Sequence, residues 1–273
     1  MKYLSAPICL IVIVIATNLC KAQPGPQLNL KPPPANIKID GDIREWGDSL
    51  AYYSTEERLN YDIANSKDTL YIAIKIYDNT EIAKVLNAGL TFSIDTRGKK
   101  KETFSLTYPV NVGGTGGLYM HKQDDADGVT QDDRDQLMRE KITTLRGIKV
   151  VGFSKDIEDD MITTSNTYGI QTDIEYDAVG NLVYEEAIPL KFFHADLSSK
   201  NDWAFNIKIN GIAKQPKPDS DSGNSQGGGR HGGGGGGSGR GGGAHRGTNG
   251  GYAGGPDGNT QSVDFWGKFV LAK

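Results

Sequence analysis

Cysteine is nearly absent from this 273-residue chain, and its two copies, Cys9 and Cys20, both lie near the start. Everything after Cys20 therefore lacks disulfides, reactive thiols and cysteine-ligated zinc. Histidine is also scarce, with four residues, and the sequence contains no H-E-x-x-H motif and no phosphate-binding P-loop. These absences exclude thiol chemistry and the common zinc-protease and nucleotide-binding motifs, and they leave a hydrophobic core as the source of stability.

Long apolar runs are absent apart from residues 4–16, which follow Lys2 and precede Cys20-Lys21-Ala22. A membrane-spanning helix needs about 20 consecutive apolar residues, so this run is too short to span. A charged start, a short apolar centre and small residues before a cleavage point are typical of a secretory signal peptide. We therefore predict a signal peptide over 1–22, cleavage after Ala22, no membrane span, and export to the periplasm, the outer surface or the extracellular space.

Positive charge is not in excess, because 30 basic residues face 34 acidic ones and the formal net charge is −4. This balance argues against a nucleic-acid partner. One G-x-S-x-G match occurs at residues 223–227, but it lies among glycines and not at the strand-to-helix turn that this nucleophile motif requires. A glycosidase needs only two suitably spaced carboxylates, and the sequence singles out no such pair. We predict that the chain is not an enzyme.

Alternation of apolar and polar residues with a period of two dominates the chain from residue 37 onward. In Thr69–Asp78, Leu70, Ile72, Ile74 and Ile76 occupy one face. The same pattern recurs at residues 90–95, 103–108, 147–154, 169–176, 181–188, 203–212 and 263–272. Such alternation is typical of strands with one buried face, so we predict an all-β domain over 36–273 built as a two-sheet antiparallel β-sandwich. Short helices are predicted near 80–87 and 130–141, and the proline-rich segment 23–35 is predicted to be a linker.

Glycine is concentrated in one segment, Asp219–Asn259, which holds more than half of the chain's 36 glycines. Such a composition buries too little apolar surface to offset the entropy of ordering, which predicts a disordered loop before the last strand. Arginines 230, 240 and 246 make the segment locally basic. Both a drifted low-complexity insertion and a contact with polyanions are compatible with it.

Four short motifs follow one another along residues 36–273. They are Ile39-Asp40-Gly41 with Trp46, Leu70-Tyr71-Ile72 leading to Asp78, Glu185-Glu186-Ala187-Ile188-Pro189, and Trp266–Leu271. In this order they resemble the family 9 carbohydrate-binding modules and their relatives in the DOMON-like superfamily. The resemblance implies a jelly-roll or DOMON-like sandwich that binds sugars, sometimes with structural calcium. It implies a structural role for the motif positions Asp40, Gly41, Trp46, Asp78, Glu185 and Pro189.

Sugar binding usually requires exposed aromatic rings, on which the C–H faces of a pyranose pack. Trp266 shares its side of the last strand with Asp264 and Lys268, which makes it the first candidate for a stacking platform. Tyr71 and Tyr77, on the polar side of their strand, are secondary candidates. The remaining tryptophans, at positions 46 and 203, are expected to pack inside.

An acidic run contains Asp124, Asp125 and Asp127. In the register of an EF-hand loop, its first and last ligand positions are Gln123 and Arg134, neither of which suits calcium. An irregular calcium site and a solvated acidic loop both stay open, and no other cofactor is expected.

These observations predict an exported, non-catalytic protein that binds a polysaccharide or glycan by aromatic stacking. The alternative is a structural or interaction protein of the cell envelope that keeps the sandwich without sugar binding. A haem-binding relative is a third, weaker reading, because the predicted folded part offers few axial ligands, among them His194. The sequence leaves the oligomeric state open.

Overall fold

A computed structural model of the chain describes residues 27–47, 49–111, 136, 139–140, 142–197, 201–213 and 260–273. The predicted signal peptide, the acidic run at Asp124, Asp125 and Asp127, and the glycine-rich segment Asp219–Asn259 lie outside these residues. Within the described residues, no helix is both long enough and apolar enough to cross a membrane.

The described residues form two β-sheets and an α-helix at Asn79–Ala88, with further helical residues at 136, 139–140 and 142. The seven-stranded sheet has the order β1 (Gln27–Asn29), β12 (Val263–Val270), β11 (Trp203–Ile209), β5 (Leu90–Asp95), β6 (Phe104–Val110), β7 (Gly147–Val151) and β8 (Met161–Thr163). The five-stranded sheet has the order β2 (Tyr52–Ser54), β3 (Leu59–Asn65), β4 (Thr69–Ile76), β10 (Leu182–Pro189) and β9 (Gln171–Tyr176). All neighbouring strands are antiparallel except β1 and β12. The all-β sandwich predicted from the sequence is confirmed.

The hydrophobic core lies between the two sheets. The inward residues of β4, namely Leu70, Ile72, Ile74 and Ile76, have no exposed surface. Tyr61 of β3 reaches across to the other sheet, where its ring lies 5.9 Å from that of Phe205 and 5.2 Å from that of Phe265. Trp203 is 2% exposed in the same core, which is the packing position expected for it.

Gly267 allows the last strand to pack closely against this core. A Cβ atom built at Gly267 would lie 2.3 Å from ring carbons of Phe205. Since Phe205 is itself completely buried, its ring has no room to withdraw. The position therefore requires a residue without a side chain.

The predicted linker at 23–35 differs in the structure, because Gln27–Asn29 form β1 and pair in parallel with β12. Leu28 and Leu30 are 3% and 8% exposed and belong to the hydrophobic core. Two buried leucines on one side of a short strand bring enough apolar contact to anchor the segment, despite the prolines around it. The described sandwich thus includes residues before 36.

The helix α1 (Asn79–Ala88) packs against β6 and β11. Asp78 caps it, accepting hydrogen bonds from the backbone N–H groups of Thr80 at 2.9 Å and Glu81 at 3.2 Å. Two 3₁₀ helices, Ile43–Trp46 and Leu190–Phe193, occupy connections.

Candidate functional site

The motif residues Asp40, Gly41, Trp46 and Glu185 meet on the outer face of the five-stranded sheet. One carboxylate oxygen of Glu185, Oε2, accepts hydrogen bonds from the backbone N–H of Asp40 at 3.2 Å and of Gly41 at 3.0 Å. The other oxygen, Oε1, accepts from the indole Nε1 of Trp46 at 3.1 Å. Three donors thus converge on one carboxylate, which fastens the segment before the first 3₁₀ helix to strand β10.

Burial governs the ionisation of Glu185, which has no exposed surface. Desolvation raises the pKa of its carboxyl to about 7, although the hydrogen bonds from Trp46, Asp40 and Gly41 act in the opposite direction. Perturbed carboxyl groups often mark catalytic sites. This one is covered by its own hydrogen-bond donors, so its role in this fold is to hold the segment in place.

Gly41 is the second position where a glycine is required. Its φ angle is +76°, and a Cβ atom there would lie 2.6 Å from the Cβ of Glu175 on the neighbouring strand β9. The close approach lets the backbone N–H of Gly41 reach Glu185. Glycine is therefore required at position 41 so that the backbone can approach β9 and bond to Glu185.

The other two motif positions lie elsewhere. Asp78 caps α1 and also forms an ion pair with Arg58, whose Nη1 is 2.6 Å from Asp78 Oδ2. Slight burial acts to raise the pKa of Asp78, but the hydrogen bonds from Arg58 and from two backbone N–H groups outweigh it and lower the pKa. Pro189 ends β10 where the second 3₁₀ helix begins.

Beside the Glu185 hydrogen bonds lies an open groove of about 870 Å³, which we call the outer groove. Polar and aromatic side chains from three segments define it: Asp40, Asp42, Arg44, Lys75, Glu175, Tyr176 and Asp177. Asp40 and Asp42 come from the connection before the first 3₁₀ helix, Arg44 from that helix and Lys75 from β4. The last three come from the end of β9 and the residue that follows it. Because these segments are distant in sequence, only the sheet pairing brings them together.

Ion pairs fix much of this lining. Lys75 Nζ lies 2.8 Å from Asp177 Oδ2, and Arg44 Nη2 lies 2.5 Å from Asp42 Oδ2. Slight burial acts to raise the pKa of Asp177, but the hydrogen bonds from Lys75 and Asn181 outweigh it and lower the pKa to about 2. The groove walls are therefore largely set before any ligand arrives.

Arg139 borders the same wall. Its guanidinium carbon is 5.4 Å from the centre of the Tyr176 ring, and Nη1 donates to the Tyr176 carbonyl at 3.3 Å. The same nitrogen lies 3.7 Å from Glu175 Oε1. These contacts hold the Tyr176 ring and the Glu175 carboxylate at defined positions.

The three aromatic residues predicted for sugar stacking do not form one site. Tyr71 is half-buried on the outer side of β4, and Tyr77, directly after the strand, is 45% exposed. Lys75 Nζ lies 5.7 Å from the centre of the Tyr77 ring. Trp266 is half-buried on the outer side of β12, opposite Asn206, in the other sheet. The outer surfaces of the two sheets face away from each other, so Trp266 is separated from both tyrosines.

Sequence reasoning missed most of the outer groove. Asp42, Arg44, Lys75, Glu175 and Asp177 were not singled out, because each is an ordinary polar residue of a turn or strand. Their only sequence signal is proximity to a motif position: Asp42 and Arg44 to Asp40, Lys75 to Asp78, and Glu175 and Asp177 to Glu185.

Glu186, the neighbour of Glu185, points to the opposite side of the sheet, into the core. It has no exposed surface, and its Oε2 accepts a 2.7 Å hydrogen bond from the hydroxyl of Tyr184. Burial raises the pKa of Glu186 to about 8. Complete burial also keeps this carboxyl away from any substrate.

No group of three or more metal-ligating side chains exists among the residues that the structure describes. The calcium prediction at Asp124, Asp125 and Asp127 lies outside that part of the chain. Of the possible axial haem ligands, His194 and Met161 lie in the described part of the chain. His194 Nε2 is 2.6 Å from Asp156 Oδ2, and Met161 begins β8.

No family model, no curated protein and no solved structure matches this chain.

Proposed function

We propose that this chain is an exported, non-catalytic carbohydrate-binding protein and that the outer groove holds the sugar. The observation that carries the proposal is the set of hydrogen-bonding groups gathered with the ring of Tyr176 in one open groove on the face of a sheet. Carbohydrate sites combine aromatic faces for C–H groups with fixed polar groups for hydroxyls. The motif resemblance to family 9 carbohydrate-binding modules supports the same function.

The charges of the groove favour a neutral glycan. Three ion pairs, Arg44 with Asp42, Lys75 with Asp177 and Arg139 with Glu175, leave few charges without a partner in the wall. Paired carboxylates still accept hydrogen bonds from sugar hydroxyls, because each carboxylate has more lone pairs than one cation occupies. A neutral polysaccharide can use such a wall without neutralising charge.

Preorganisation supports affinity in this groove. Lys75, Glu175 and Asp177 are already fixed by partners, so binding immobilises few additional side chains. Arg44, whose side chain is 89% exposed, pairs with Asp42 and still has N–H groups free to donate to a ligand hydroxyl.

Binding of the full chain to a panel of neutral polysaccharides, measured by affinity electrophoresis and titration calorimetry, tests the proposal. We expect at least one saturable ligand. Arg44→Ala and Tyr176→Ala should each weaken its binding about fivefold, which corresponds to about 1 kcal/mol for one polar or stacking contact. Tyr53→Ala is the matched control, because Tyr53 is a 58% exposed tyrosine on the distant edge strand β2.

Trp266→Ala separates the two candidate platforms. Unchanged binding in this variant supports the outer groove, and loss of binding in it alone would move the site to the seven-stranded sheet. A panel without any saturable ligand would overturn the function itself and favour the envelope interaction protein.

A further inference from the structure

We propose a second binding site, for an anionic glycan carrying carboxylate or sulfate groups, in a groove at the β5–β6 turn. The groove has a volume of about 670 Å³. Its lining includes four cations and two phenylalanines, namely Arg97, Lys99, Lys101, Lys155, Phe104 and Phe193. We call it the cationic groove. This second site goes beyond the proposed function. The cationic groove lies in another part of the fold than the outer groove, and its ligand would be anionic and not neutral.

A buried carboxylate organises the turn that carries three of these cations. Asp95 is 2% exposed, and its Oδ1 accepts a hydrogen bond from the backbone N–H of Arg97 at 2.9 Å. Its Oδ2 accepts from the backbone N–H of Lys99 at 2.8 Å and of Lys101 at 3.2 Å. The negative charge of Asp95 is therefore directed to backbone groups, while the three side chains remain exposed.

The cations of this groove have no acidic partners among the residues that the structure describes. Elsewhere in the fold, Arg58, Lys75 and Lys84 each lie within 3.0 Å of a carboxylate oxygen. Arg97 and Lys155 form no such pair, nor do Lys99 and Lys101. An anion entering the groove would supply the missing counter-charge.

The charge balance of the groove is opposite to that of the whole chain. Four cations line it against two carboxylates, Asp95 and Glu102, and Asp95 is buried. The chain as a whole carries a formal charge of −4. A locally positive groove on an acidic protein attracts anions selectively to that place.

The floor of the groove gives the ligand an apolar face. The ring of Phe104 is half-buried and meets that of buried Phe193 edge to face, with centres 5.4 Å apart and planes at 84°. An acidic sugar ring matches this combination, because its C–H face can pack on Phe104 while its acid group meets the cations. Arginine adds a planar fork that pairs with a carboxylate or sulfate through two hydrogen bonds.

The test measures binding of the full chain to polygalacturonate, to dextran sulfate and to neutral dextran, by titration calorimetry at low and at moderate salt. Polygalacturonate carries carboxylates and dextran sulfate carries sulfates, so these two arms identify the acid group. We expect saturable binding to at least one of them and weaker binding at the higher salt concentration. Any binding to neutral dextran should not change with salt concentration, because it would belong to the outer groove.

The double variant Lys99→Gln/Lys101→Gln should weaken this binding about tenfold, because two exposed charge contacts are lost. Its backbone N–H groups still reach Asp95, so thermal unfolding should be unchanged. The matched control is Lys67→Gln/Lys273→Gln, which removes two exposed lysines at another groove and should change the affinity less than twofold.

Equal weakening in the two double variants would overturn the site, because it would show general attraction to a cationic surface. Absence of binding to both acidic polymers would overturn it as well. Binding of an oligonucleotide in place of both polymers would contradict the ligand class. Neutral-glycan binding at the outer groove should persist in Lys99→Gln/Lys101→Gln, which keeps the two proposals separable.

Discussion

Replacing Glu186 by glutamine should flatten the dependence of stability on pH. Glu186 points into the core, where its Oε2 accepts a hydrogen bond from the Tyr184 hydroxyl at 2.7 Å and its Oε1 has no partner among the described residues. The hydroxyl of Thr172, directly opposite on β9, is also buried and has no partner in the described part of the chain. The uncharged acid fits this site, and the carboxylate does not, because two hydroxyl neighbours cannot replace the water lost on burial.

The sign and size of the effect follow from the pKa. Burial raises the pKa of Glu186 from about 4.5 to about 8. The pKa of Glu186 is higher in the folded state than in the unfolded state, so protonated Glu186 contributes its full stabilisation below pH 4.5. This stabilisation is lost as the pH rises through 8. A shift of that size corresponds to about 5 kcal/mol, which is as large as the total stability of many domains.

Urea unfolding of the wild type and of Glu186→Gln at several pH values between 5 and 8.5 measures this effect. Glutamine keeps an acceptor for Tyr184 and cannot ionise. At pH 5 the two proteins should differ by less than about 1 kcal/mol, and at pH 8.5 the variant should be more stable by several kcal/mol. Glu158→Gln, at an exposed position, is the matched control. Parallel stability curves for the wild type and Glu186→Gln would refute the reasoning.

Three further perturbations follow from the same contacts. Gly267→Ala should destabilise the fold by about 1–3 kcal/mol, because the new methyl group meets the buried ring of Phe205; an unchanged thermal midpoint would contradict this. Glu185→Ala should lower the free energy of unfolding by about 2–5 kcal/mol, since it leaves three donors unpaired. It should also shift Trp46 fluorescence to the red. An unshifted spectrum would argue against the hydrogen bond between Trp46 and Glu185. Asp177→Asn should raise the pH at the midpoint of acid unfolding. In the wild type, the pKa of Asp177 is about 2, below the ordinary 3.8. The ionised carboxylate therefore stabilises the fold by about 2 kcal/mol above pH 4, and this stabilisation is lost as the pH falls through 2. An unaltered acid midpoint would speak against that ion pair.

The strands could be predicted from the sequence because their signal is local. In β4, alternation placed Leu70, Ile72, Ile74 and Ile76 on the buried side, and all four are buried in the structure. Strand β3 carries a similar pattern, with Leu59, Tyr61 and Ile63 inward, although it was not singled out. The shortest strands, such as Gln27–Asn29, have too few residues for a period to be recognised.

The sequence by itself determined which side of each strand is buried, since side chains alternate with a fixed period along an extended backbone. It did not determine which sheet each strand joins, because strand pairing depends on contacts between residues far apart in the chain. That choice placed Tyr77 and Trp266 on opposite surfaces and brought Trp46 to Glu185. It also gathered the outer groove and the cationic groove from separate segments, so the candidate sites were decided by the tertiary structure.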